Sequence, residues 1–228
     1  MSANAERLRG RPPASIELKA ALFFSVLLAT SFGLGAATSL AGALAGFVMI
    51  VALPALVLTL LVGTAIFLLQ GIRLARRPGR AVGLRIANIV VAPLLGLGAF
   101  AFGMPAFSTG SLAGAWLRLV DNRSQYEAII ASSVSGQRNP ADDQHRAERR
   151  IRFIADSGPP LRVAFDPQGI LDNWSAIVFD PTQVVMGAAG FDPASGKFAA
   201  PDSITKLFGG DLVQCRRLGD SYFFCSFT

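Results

Sequence analysis

The apolar positions of this chain come in long unbroken runs in its first half and in short alternating ones in its second. From Ala20 to Leu69 there is no ionisable residue. About 20 apolar residues suffice to cross the roughly 30 Å hydrocarbon core of a bilayer, so this stretch is long enough for two passes. The pattern predicts spans at about Leu18–Thr38 and Phe47–Leu69, with Ser15 as N-cap and Glu17 in the first helical turn. Ser39–Gly46 reads as a tight turn between them, and Pro54 bends the second span. A third span is predicted at Ile86–Gly103, where Asn88 is the strongly polar side chain, one turn past Arg85 and so near the interface.

Beyond the third span, Met104–Gly110 reads as a Pro/Gly/Ser exit and Leu112–Ser133 as an interfacial stalk leading into, or continuous with, a helix. Tyr126, Ile129, Ile130 and Val134 there follow helical spacing. The charged stretch 137–150 reads as a surface loop. Strand signals follow at Arg150–Ala155, Leu161–Phe165, Ser175–Phe179, Leu212–Leu218 and Ser221–Phe227, with a weaker one at Gln183–Met186. Pro201–Phe208 reads as a short helix with Ile204, Leu207 and Phe208 inward, stopped by Gly209 and Gly210. Phe-Asp-Pro occurs at 165–167, 179–181 and 191–193, each read as a strand end followed by an Asp-capped turn. The expected fold is an α-helical three-span bundle carrying a small α+β extracytoplasmic domain, an antiparallel sheet with one or two helices.

Composition supports the membrane reading. The 228 residues are only 16% charged, against about 25% in soluble domains, and mean hydropathy is +0.47. Charge changes the picture further, because the net +6 is unevenly placed: residues 1–107 carry +7 and residues 108–228 carry −1. Arg73, Arg76, Arg77, Arg80 and Arg85 cluster between the second and third spans with no acid among them. Short basic loops stay cytoplasmic and set the orientation of the spans they join. These five arginines are the topology-setting residues. They make 1–15 a cytoplasmic tail, 16–107 the transmembrane region with loop 71–85 inside, and 108–228 a periplasmic domain of a bacterial inner-membrane protein. The near-neutral domain lacks the basic face that nucleic acid requires, so the expected partners are the lipid bilayer and another envelope protein or a second copy.

The two cysteines, Cys215 and Cys225, both fall in the half placed outside, where thiols oxidise. A three-residue loop Gly219–Ser221 would put Leu218 opposite Tyr222 and Cys215 opposite Cys225, within disulfide reach. Ten residues apart across a hairpin, the pair reads as a structural staple, since redox-active pairs favour C-x-x-C spacing.

Candidate chemistry is sparse. The single histidine, His145, sits in the charged stretch, and one His with two bonded Cys cannot supply a zinc site. Asp166, Asp172, Asp180 and Asp192 lack the spacing of a calcium loop, and no phosphate-binding glycine loop is present. No metal, cofactor or catalytic group is expected. Asp172, Asn173 and Trp174 form a candidate ligand or partner surface, with Trp174 as a plug for the end of a small core the competing reading. The expectation is a non-enzymatic membrane protein whose outer domain senses, binds or assembles. A transport-complex component is the alternative, and a periplasmic hydrolase a more distant one.

Overall fold

The computed structural model describes residues 16–41, 44–76, 78, 82–134, 151–156, 158–170 and 173–228. Three helices come first: α1 (Ile16–Leu40), α2 (Leu44–Ala75) and α3 (Val82–Val134). Each contains a stretch long and apolar enough to cross a membrane. Seven strands follow among the described residues: β1 (Phe153–Asp156), β2 (Arg162–Ile170), β3 (Asn173–Phe179), β4 (Phe191–Asp192), β5 (Lys197–Phe198), β6 (Leu212–Gly219) and β7 (Tyr222–Phe227). A short helix α4 (Asp202–Thr205) lies between β5 and β6. The chain forms two compact units, one of Met1–Phe32 with Ala52–Ala106, the other of Gly33–Val51 with Phe107–Thr228.

Backbone contact packs the helical unit. A Cβ on Gly71 would lie 1.9 Å from the carbonyl oxygen of Asn88, so α2 and α3 meet closely there because that side chain is a hydrogen. Ala20, Phe24, Leu60 and Ala99 form a buried cluster, with Phe23 and Phe67 packed against it. Ser31 donates its hydroxyl hydrogen to the carbonyl of Gly103 at 3.0 Å, satisfying a polar group in an apolar setting.

In the second unit β1, β2, β3, β7 and β6 form, in that order, one antiparallel sheet, while β4 and β5 form a separate two-stranded hairpin. Alternation along the strands divides two cores. Val163, Phe165, Ile177 and Tyr222 pack with Leu119, Tyr126 and Ile129 of α3. On the opposite face Ala164, Val178, Phe223, Cys225 and Phe227 pack with Val185 and Leu207 from the segment before β6. Both faces are covered, which explains the apolar residues at successive positions of β2 and β3.

Several expectations need correction. Met104–Gly110 is not an exit, because α3 runs through it without interruption. Pro105 removes one helical donor, yet neighbouring contacts are tight, and a Cβ on Gly35 would sit 2.0 Å from the Phe107 carbonyl oxygen. Packing at this density overrides the low helix propensity of Gly and Pro. Arg73 closes α2 and Arg85 lies inside α3, so neither is in a loop. Val134 is exposed rather than on the buried face. Gln183–Met186 is not a strand: Gln183 adopts a left-handed φ of 61° and Val184–Gly187 form a 3-10 turn. The helix expected at Pro201–Phe208 breaks after Thr205, and Phe208 is left-handed at φ 61°. Asp166 does not end a strand but sits at φ 47° in a bulge between Phe165 and Gln168.

The terminal hairpin also differs in its loop. Gly219 pairs with Tyr222 across a two-residue loop, and an irregularity between Arg217 and Gly219 inserts Leu218 as an extra residue. That bulge restores the pairing of Cys215 with Cys225.

Candidate functional site

Cys215 and Cys225 are bonded, with Cα atoms 4.1 Å apart. Cys225 is fully buried and Cys215 packs against the same core, so the bridge fixes β6 to β7 from inside. Arg73, Arg76 and Arg85 lie at the ends of α2 and α3, whereas Arg77 and Arg80 fall outside the described residues. Stretch 137–150, with His145, and Asp172 fall outside them too.

Asn173 and Trp174 open β3. The Trp174 indole stacks on Phe227 with centroids 3.7 Å apart and planes within 5°, and Gly210 backs it. Trp174 is partly buried at the end of the core, which gives it a packing role whatever its outer edge meets.

The remaining aspartates are separated and locally engaged. Asp180 is fully buried. Its Oδ1 accepts from the Thr182 backbone at 2.9 Å and the Thr182 hydroxyl at 2.6 Å, and its Oδ2 from the Val185 backbone at 3.0 Å. Burial opposes its ionisation, but the Thr182 hydroxyl, those two N–H groups and Arg162 outweigh it and hold the carboxyl below its ordinary value. Asp192 accepts from the backbones of Ala194 and Ser195, and its pKa is likewise lowered, chiefly by hydrogen bonding to Ser195. Asp166 accepts from the Tyr126 hydroxyl. Among the described residues, no group of three His, Cys, Asp or Glu gathers to hold a metal.

Two sites not evident from spacing alone emerge. Within the helical unit, Asn88 is only 4% exposed, and neither its Oδ1 nor its Nδ2 has a hydrogen-bond partner. It borders a void of about 10 Å³ shared with Glu17, Ala20, Phe67 and Val91, about the size that holds one water. In the sheet unit, a cleft of about 420 Å³ runs between β1 and the segment 202–209, within the range of ligand pockets. Ile154, Ala155 and Asp156 form one wall; Asp202, Ser203, Lys206, Leu207 and Phe208 form the other. Arg162 ties down Asp156 at 3.5 Å. The Lys206 ammonium is bound by Asp211, and that hydrogen bond is the main reason its pKa is raised. The cleft therefore pairs an apolar flank with an end of mixed charge, where Asp202 interacts with the Lys206 ammonium.

A search of family models, of curated proteins and of solved structures finds no match to this chain.

Proposed function

We propose that the chain is a three-span inner-membrane protein with its N-terminus cytoplasmic, holding its sheet domain in the periplasm as a non-catalytic sensing, binding or assembly module. The observation that carries this is the presence of three membrane-length helices among the described residues, together with five arginines and no acid from the last turn of the second to the first turn of the third. Guanidinium groups are costly to translocate, so that connection stays inside and a third crossing delivers the domain outside. The buried Cys215–Cys225 bridge suits an oxidising compartment and supports the same orientation. The cleft beside β1 supports binding as the domain's task. Fusions of alkaline phosphatase and of green fluorescent protein to Thr228 test the orientation. An active phosphatase with a dark fluorescent fusion is expected, and the reverse overturns it.

A transport-complex component is the second reading, favoured by the buried, unpartnered amide of Asn88 beside Glu17. Flux in proteoliposomes that depends on this chain and disappears in Asn88→Leu would favour it over the first.

A further inference from the structure

Near the start of α3, Nε of Arg85 and both Oδ1 and Nδ2 of Asn88 are buried with no hydrogen-bond partner among the described residues. Three residues apart, the two side chains share a face of the helix. Native proteins almost always supply a buried amide with a partner, either from the chain or from ordered water. The wall of the void beside Asn88 shows which kind this one takes.

At about 10 Å³ the void admits one water-sized group and nothing larger. Glu17, in the first turn of α1, is the other polar side chain on its wall, and the rest, Phe67 included, is apolar. No ion pair or side-chain hydrogen bond engages Glu17 among the described residues. Chemistry then decides the occupant. An anion would meet the Glu17 carboxylate. Calcium takes six to eight oxygen ligands and magnesium a near-ideal octahedron, whereas these side chains offer only the carboxylate of Glu17 and the amide oxygen of Asn88. A cation would also leave Nδ2 unbonded. Water suits both sides: it donates to the carboxylate, and towards Asn88 it accepts from Nδ2 or donates to Oδ1, whichever faces the void.

We propose that this void binds one resident water, which bridges the Glu17 carboxylate to the Asn88 amide and joins the start of α1 to α3. A bond relayed through such a water is nearly as favourable as a direct one. Gly71 brings α2 against the carbonyl oxygen of the same Asn88. A polar link and a backbone contact therefore hold α1, α2 and α3 together around one residue. Such a site needs neither a periplasmic placement of the sheet domain nor a transport role.

X-ray radiolytic hydroxyl labelling of the full chain in nanodiscs tests the site, because a bound water releases hydroxyl radicals where it sits and marks the nearest side chain. Phe67 lines the void, whereas Phe24, 3% exposed in the same apolar cluster, does not. Phe67 should be hydroxylated about fivefold faster than Phe24 if a water resides beside it. Asn88→Leu and Glu17→Leu should each remove that excess. Glu17→Gln, which keeps an acceptor oxygen, should retain it. Phe24 should stay unlabelled throughout, which reports an intact bundle. Equal labelling of Phe67 and Phe24 in the wild type overturns the site without recourse to any variant. Undiminished labelling of Phe67 in Asn88→Leu overturns it too, because bulk water would then be the source.

Discussion

Tyr126 on α3 donates its phenolic hydrogen to Asp166 Oδ2 at 2.9 Å while its ring stacks on Phe165, the preceding strand residue, at 4.2 Å. One side chain thus joins helix to sheet through both an apolar and a polar contact, at the residue where β2 bulges. Tyr126→Phe keeps the stack and removes the donor. A loss of about 1–3 kcal/mol is expected, the scale for leaving a buried hydrogen-bonding group without its partner. Tyr126→Ala, which also empties a fully buried site, should cost roughly 3–5 kcal/mol. Denaturant unfolding followed by near-ultraviolet circular dichroism measures both.

The staple makes a separate prediction. Cys215→Ser with Cys225→Ser should lower stability by roughly 2–3 kcal/mol, the scale for closing a short loop. In the wild type, neither thiol should alkylate before reduction, and a reductant should shift electrophoretic mobility. Free alkylation of both cysteines without reductant would rule out the bridge.

Helix contact in the first unit depends on single hydrogens. Gly71→Ala would place a methyl 1.9 Å from the Asn88 carbonyl oxygen, whereas a Cβ on Gly98 meets nothing within 4 Å. Overpacking of this kind costs roughly 1–3 kcal/mol. Gly71→Ala should therefore lower the midpoint of unfolding in mixed micelles, and Gly98→Ala should leave it unchanged or raise it through helix propensity.

Asp180 predicts a pH dependence. Its folded pKa is held below the ordinary 3.8. Its stabilising contribution is therefore complete above about pH 3.8 and is lost as pH falls from there towards the folded pKa, where the unfolded chain binds the proton first. In melting-midpoint scans from pH 6 to pH 2, the wild type should fall more steeply than Asp180→Asn below that value. Parallel curves would contradict the assignment.

Apolar periodicity made three membrane-length runs and five of the strands readable, because both signals are local. The pairing of Cys215 with Cys225 was readable too, although through a different loop, since periodicity of two does not report an inserted residue such as Leu218. Asp166 was misread for the same reason: Phe-Asp-Pro suits a turn, as at Asp180 and Asp192, and only pairing with β3 turns it into a bulge. The passage of α3 through Pro105 depends on Gly35 and Gly114 meeting another helix, which no local window contains. The cleft escaped notice because its walls are about fifty residues apart in sequence and because Phe208 adopts a conformation unusual for its type.

The position of β7 bears on how the domain is made. Of the described strands it leaves the ribosome last, yet it lies between β3 and β6 in the interior of the sheet. Until Tyr222–Phe227 arrive, β3 presents an open edge carrying Ile177 and Val178, and Cys215 has no oxidation partner. The sheet thus closes only once Tyr222–Phe227 have emerged, and until then the edge of β3 is open to strand-to-strand association with neighbouring chains.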